Sequence, residues 1–230
     1  YTAGWQVEAA AHEVKEHSLA VLQRQWKESQ AHLGAHLDLY QVHSATLESV
    51  VLANREVLKA LARLKGGGTA IGLSVSGEGQ GAVIDRALET TVDGVRLFDA
   101  VQATWNLLEI SAGPALRRAA AAGLGVIVKE ALANGRLTEA NEAPEFDRQR
   151  ERLRQEARRM ATTVDALAMA AVLAQPWASV VLSGAATTSH LVSNLRATDV
   201  IWDDRAAESL ENLVESPEVY WKTRARLNWN

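Results

Sequence analysis

Short apolar runs alternate with helix-length amphipathic stretches along most of the chain. Five runs read as strands covered on both faces, because their apolar residues follow one another without strict polar alternation. They are LDLYQV (37–42), AIGLSV (70–75), DAVQAT (99–104), LGVIVK (124–129) and SVVLS (179–183). Between them the spacing is helical. Residues 18–33 place Leu19, Leu22, Trp26 and Leu33 on one stripe, with Ser18 as N-cap and Gly34 as the stop. Residues 54–65 align Val57, Leu58, Leu61 and Leu64, and residues 111–122 carry Pro114 in the first turn before stopping at Gly123. The pattern predicts two helices within 147–174, one over 188–196 and one over 205–214.

Strand and helix in repeated alternation imply parallel pairing through right-handed crossovers. Strand ends near 43, 75, 104 and 129 are spaced by 32, 29 and 25 residues. A (β/α)8 barrel of about 250 residues allots about 31 residues to each unit. The period suits a barrel, and an open doubly wound sheet shows it too. Only five strands are visible, so a barrel implies three further N-terminal units. The opening YTAGW, without a methionine or a signal-peptide pattern, agrees with that expectation. Residues 1–230 are then expected to form a single incomplete TIM-barrel domain.

Composition narrows the function classes. The 230 residues hold 24 Lys and Arg against 28 Asp and Glu, a net charge of −4 that argues against a nucleic-acid partner. The absence of cysteine excludes disulfides, thiolate metal sites and cysteine nucleophiles. No apolar run is long enough to span a membrane. A cytoplasmic location and no metal are therefore expected.

In either α/β architecture, ligands sit at the C-terminal ends of the strands. Those positions hold His43-Ser44, Ser74-Val75-Ser76, Gln102 with Trp105-Asn106, Lys129-Glu130, and Gly184-Ala185-Ala186-Thr187. His43 is either an inert, hydrogen-bonded strand-end residue or a donor that polarises a carbonyl. Lys129 and Glu130 either pair with each other at the rim or face a ligand. Gln102 points inward if Val101 packs outward, and its amide needs a partner, either a carboxamide ligand or a neighbouring backbone. Thr187-Thr188-Ser189 is an anion site or a simple helix cap.

Gly77, Gly79 and Ala82 satisfy G-x-G-x-x-G/A between a strand and a helix. A dinucleotide fingerprint needs an acidic residue at the end of the next strand. The nearest, Asp99, stands at that strand's start, so the motif fails as a Rossmann signature. Residues 148–159 carry six arginines mixed with Glu151 and Glu156, the pattern of a solvated helix face. The tail VYWKTRARLNWN, with Trp221 and Trp229, suggests a lid packed on the body.

Five segments in order resemble the aldo-keto reductase superfamily: HLDLYQVH (36–43), AIGLSVSG (70–77), AVQATWNLLE (100–109), GLGVIVKEALANGRLT (123–138) and VVLSGAATTSHLVSNL (180–195). They match that family's fourth to eighth strands, which favours a barrel over an open sheet. The resemblance implies a TIM barrel that holds NADP(H) across its mouth, NAD(H) being an alternative. It implies reduction of a carbonyl of an aldehyde, ketone or sugar to an alcohol, or the reverse. By position, His43 would orient the carbonyl, and Ser74 and Gln102 would hold the nicotinamide carboxamide. Lys129 would lie beside the nicotinamide, and Leu132 and Asn134 would line the pyrophosphate side. Gly184, Ala185, Thr187, His190 and Asn194 would form the adenosine-phosphate end. Trp5, Trp105 and Trp221 would be apolar walls of the substrate pocket.

The departures from the family pattern are specific. Val75 stands where an asparagine usually follows the serine, and Lys129 where an aromatic usually meets the nicotinamide. Residues 184–193 contain no Lys or Arg, although the family often places one there for the 2′-phosphate. The family's proton-donating tyrosine, with its lysine and aspartate, comes from the first three strands, which these residues lack. The resemblance therefore also admits a cofactor-binding regulatory subunit, or a catalytically incomplete fragment without turnover. A truncated product that associates through its open sheet edges is a third reading.

Overall fold

The computed structural model describes residues 16–227. In chain order the strands are β1 (Leu39–Ala45), β2 (Ala70–Val75), two short strands β3 (Thr91–Val92) and β4 (Val95–Arg96), β5 (Ala100–Thr104), β6 (Gly125–Lys129) and β7 (Val180–Val181). The five expected strands are β1, β2, β5, β6 and β7, which form one parallel sheet in that order. β1 runs later than the expected 37–42, and β7 is much shorter than 179–183. β3 and β4 pair as an antiparallel hairpin turned at Asp93-Gly94, both with positive φ. Neighbours in the sheet are neighbours in sequence, with no reversal of strand order. A doubly wound sheet needs such a reversal at its switch point, so the winding is that of a barrel wall.

The helices are α1 (Leu19–Leu33), α2 (Arg55–Gly66), α3 (Gln80–Glu89), α4 (Gly113–Ala121), α5 (Asp147–Arg159), α6 (Val164–Leu173), α7 (Thr188–Leu195), α8 (Asp204–Leu210) and α9 (Pro217–Arg224). Their starts follow local chemistry. Ser18, Asn54, Thr163, Thr187, Asp203 and Ser216 each accept an N–H of the first turn, satisfying a donor the helix leaves orphaned. The helix expected over 205–214 is α8 followed by a 3-10 turn at Glu211–Leu213. α9 turns the tail into a helix, and it buries Tyr220 and Trp221. Trp229 lies outside the described residues, as do Tyr1 and Trp5.

Strand parity divides the sheet into two chemically different faces. Ile71, Leu73, Val75, Val101, Ala103, Val126 and Val128 are fully buried against the helices. The opposite face carries the row Gln41, Gly72, Ala100, Gly125 and, toward the strand ends, the row Ser74, Gln102, Ile127, Val180. Val180 on this second face is 49% exposed, and Gln41, Gln102, Gly125 and Ile127 are half-buried. Gly72 is small for a reason. A Cβ there would come within 3.0 Å of Gln41 Cγ and 3.1 Å of the Ala100 carbonyl oxygen.

A second apolar cluster joins Leu137, Phe146, Leu153, Leu167, Leu210, Leu213 and Tyr220, so α5, α6, α8 and α9 pack as one unit. Three polar links tie the tail to the strand ends. Arg136 forms an ion pair with Glu215, and its guanidinium lies 5.7 Å from the ring centres of both Phe146 and Tyr220. Asn106 Nδ2 donates to the Tyr220 hydroxyl at 3.0 Å, and Arg224 meets Glu130 at 2.6 Å. No helix among the described residues is long and apolar enough to cross a membrane.

Candidate active site

The C-terminal ends of β1, β2, β5 and β6 surround a cavity of about 430 Å³. Its lining is His43, Ser44, Thr46, Ser74, Ser76, Gly77, Gln102, Lys129 and Glu130, with Trp221 and Arg224 added by α9. Nearly every contributor is polar, and Trp221 supplies the one large apolar surface. Four of the sequence-derived site residues, His43, Ser74, Gln102 and Lys129, therefore come together, and Trp221 joins them.

Each side chain reaches the cavity for a local reason. β1 loses its register between Val42 and Ala45, where Ser44 adopts a left-handed φ of 49°. The irregularity leaves His43 exposed while Val42, Ser44 and Ala45 stay buried. Such a backbone costs a non-glycine residue about 1–2 kcal/mol, and surrounding bonds must hold it. Ser44 N–H donates to Ser74 Oγ at 2.9 Å, and His17 Nε2 lies 2.9 Å from the His43 carbonyl oxygen. Ser74 and Gln102 are direct lateral neighbours on the inner row of the sheet. After β2 the chain turns at Gly77, whose φ of 89° demands glycine, whereas Gly79 has an ordinary φ of −81°. The glycine-rich segment is a turn into α3, and Gly77 lines the cavity.

Charge gathers at the end of β6. Lys129 Nζ donates to Ser76 Oγ at 2.8 Å and stands 3.7 Å from Glu130. Glu130 itself has a positive φ of 56°, and its backbone carbonyl accepts from Asn106 Nδ2 at 2.9 Å. Burial pushes the Glu130 carboxyl up, but the Arg224 hydrogen bond and the nearby Lys129 and Arg224 charges override it. The carboxyl is held below its usual range. Tyr220 is pushed well above the usual phenol range by burial, with the Glu130 charge adding to it. Its hydroxyl stays protonated and serves as an acceptor for Asn106.

Several site expectations fall elsewhere. Trp105 is a correction. It follows β5 in phase with Val101 and Ala103, so its indole turns to the helix side and meets Trp177 edge-on at 5.5 Å. Only 8% of Trp105 is exposed, and it does not line the cavity. Leu132 is half-buried, while Asn134 is exposed in a left-handed turn, with φ 54° and ψ 43°. Neither lines this cavity. Gly184, Ala185, Thr187, His190 and Asn194 also lie outside it, at the end of β7 and along α7. Thr187 Oγ1 accepts the His190 N–H at 3.2 Å, a cap on α7. Asn194 Nδ2 donates to the Ser183 carbonyl and hydroxyl, tying α7 to the strand end. Trp5 lies outside the described residues.

Arg224, Thr46 and the pinning residue His17 had no place in the sequence-derived site. A signal for Arg224 existed in Ser216-Pro217, a helix start that places Trp221 and Arg224 on neighbouring turns of one face. His17 has none, because its partner lies 26 residues away in sequence.

A barrel wall whose strand ends carry a polar cavity defines a class of ligand-binding or catalytic α/β protein. The family model for the aldo/keto reductase family matches residues 7–215. The chain belongs to the aldo/keto reductase family. Among solved structures, a thermostable aldo-keto reductase in complex with the inhibitor epalrestat is similar at TM-score 0.66 and 21% identity, over 84% of this chain and 66% of that one. The holo form of an aldo-keto reductase from Bacillus halodurans is similar at TM-score 0.68 and 19% identity, over 88% of this chain and 69% of that one. The chain thus spans about two-thirds of the length of these structures. No curated protein matches the sequence.

Proposed function

We propose that the protein is a nicotinamide-dependent oxidoreductase that interconverts a small carbonyl compound and its alcohol. Membership of the family supports this, and one observation carries it: Ser74 and Gln102 stand side by side next to His43 in a single polar cavity. The donor set fits a carboxamide. Gln102 makes no side-chain hydrogen bond to another described residue, so it offers both an N–H donor and a carbonyl acceptor. Ser74 Oγ accepts from Ser44 and retains its own O–H to donate.

A reduced nicotinamide held there would supply the hydride. The chain's residues supply position. His43 orients the carbonyl and stabilises charge developing on its oxygen. Ser74 and Gln102 would fix the carboxamide, and Lys129 would place a cation near the bound nicotinamide. Trp221 would form an apolar wall. Leu132 and Asn134 would hold the pyrophosphate, while Gly184, Ala185, Thr187, His190 and Asn194 would hold the adenosine end. With no Lys or Arg in 184–193, NADP(H) and NAD(H) both remain candidate cofactors. The five parallel strands are, in this proposal, units four to eight of a closed barrel. The half-exposed inner face of the sheet supports that. The family's tyrosine, lysine and aspartate would then come from strands outside these residues.

A cofactor-binding protein without turnover is a second reading, favoured by the two tyrosines among the described residues. Tyr40 packs edge-on against Trp26 at 5.2 Å, the Tyr220 hydroxyl accepts from Asn106, and neither lines the cavity. Titration with NADPH and NADH, followed by turnover on aldehydes, ketones and sugars, separates the two. Saturable binding with turnover supports the oxidoreductase. Binding without turnover supports the second reading, and no binding of either cofactor overturns both.

A further inference from the structure

We infer that His17 is a positioning residue for His43, acting through the peptide group between His43 and Ser44. That peptide is held at both ends. Its carbonyl, on His43, lies 2.9 Å from His17 Nε2. Its N–H, on Ser44, donates to Ser74 Oγ at 2.9 Å. A carbonyl oxygen only accepts, so His17 Nε2 carries the proton and donates it.

The two bonds act where the backbone is least able to hold itself. β1 has already lost its register with β2 between Val42 and Ala45, so sheet pairing does not fix the orientation of this peptide. Ser44 sits at φ 49°, a conformation non-glycine residues seldom adopt without outside support. The plane of the peptide sets the ψ of His43 and the φ of Ser44 together, and thereby the direction in which the imidazole leaves the chain. A tilt of that plane about the Ser44–Ser74 bond would swing His43 within the cavity. His17 lies just before the start of α1, 26 residues from its partner in β1, so the bond also registers that segment against the site.

This inference rests on the oxidoreductase reading for its catalytic consequence, and on geometry alone for its structural one. The test compares His17→Leu, which removes the donor, with His17→Gln, whose amide nitrogen reaches the same position. The ring 1H–15N signals of His43 are read in the cofactor-free protein, and kcat and KM are read on the whole enzyme. His17→Leu is expected to shift the His43 signals and to lower kcat about five- to tenfold, the worth of one hydrogen bond. The cofactor KM should change less than about twofold on the same scale. His17→Gln should restore both the signals and kcat. Unchanged His43 signals in His17→Leu, or a His17→Gln variant as impaired as His17→Leu, would overturn the inference. If the wild-type protein turns over no carbonyl, the oxidoreductase reading fails while the His43 signals still decide the role of His17.

Discussion

Replacing Arg224 by methionine removes the cation that α9 sets over Glu130 while keeping most of its apolar stem. The two side chains retain only 20% and 13% of their exposure, and they meet at 2.6 Å. Exposed pairs contribute at most about 1 kcal/mol, and breaking a fully buried one costs about 3–5 kcal/mol. This pair is mostly buried, and Lys129 at 3.7 Å still compensates part of the Glu130 charge. The expected loss is about 2 kcal/mol, which for a domain of this size lowers Tm by about 4–8 °C. The Asn106–Tyr220 bond and the burial of Tyr220 remain, so α9 should loosen rather than the whole domain unfold. Denaturant unfolding with hydrogen exchange on the α9 amides reads both effects. A double-mutant cycle with Glu130→Gln isolates the pairwise part. A coupling below about 0.5 kcal/mol would refute the claim that this pair holds α9 over the cavity. The sign of the pH dependence follows from the same residues. Glu130 is held below its ordinary value of 4.5, so its contribution is complete above that pH. It is lost as pH falls through the lowered value, and α9 exchange should accelerate there in wild type but much less in Glu130→Gln.

Other expectations follow from particular contacts. Gly72→Ala drives a methyl group against the Ala100 carbonyl, which cannot move without its strand, so it should cost about 1–3 kcal/mol in denaturant unfolding. Lys129→Tyr removes a cation from beside a ring that becomes cationic on oxidation, and should raise affinity for oxidised relative to reduced cofactor. An unchanged ratio in paired titrations would dismiss that electrostatic bias. Trp221→Leu should alter substrate KM, whereas Trp105→Phe, buried against Trp177, should lower Tm and leave KM alone. The opposite pattern in steady-state kinetics would show that the cavity has been assigned the wrong tryptophan.

The parts of this fold that sequence reveals are those set by local periodicity. β2, β5 and β6 read as apolar runs because their alternate residues, Ile71, Leu73, Val75, Val101, Ala103, Val126 and Val128, are fully buried against the helices, and the caps at Ser18 and Thr187 announce their helices. The convergence of His43, Ser74, Gln102 and Lys129 was readable because strand ends in such sheets share one mouth. Trp105 misled because its place beside a strand end hides its parity: one residue beyond Thr104 reverses the face. The 3-10 turns and left-handed residues at Ser44, Glu130 and Asn134 leave no periodic signature. The contacts of His17 with His43 and of Arg224 with Glu130 join residues 26 and 94 apart, which no local pattern encodes.

In the proposed reaction, His43, Ser74, Gln102 and Lys129 frame the place where hydride meets a carbonyl. The most direct measurement incubates the protein with NADPH or NADH deuterated at the transferable C4 position and a panel of aldehydes, ketones and sugars. The alcohol product is then examined by mass spectrometry and NMR. One deuterium is expected on the former carbonyl carbon, with a large loss of rate in His43→Phe. Product without deuterium at that carbon, or a His43→Phe variant as fast as wild type, would contradict the proposed reaction.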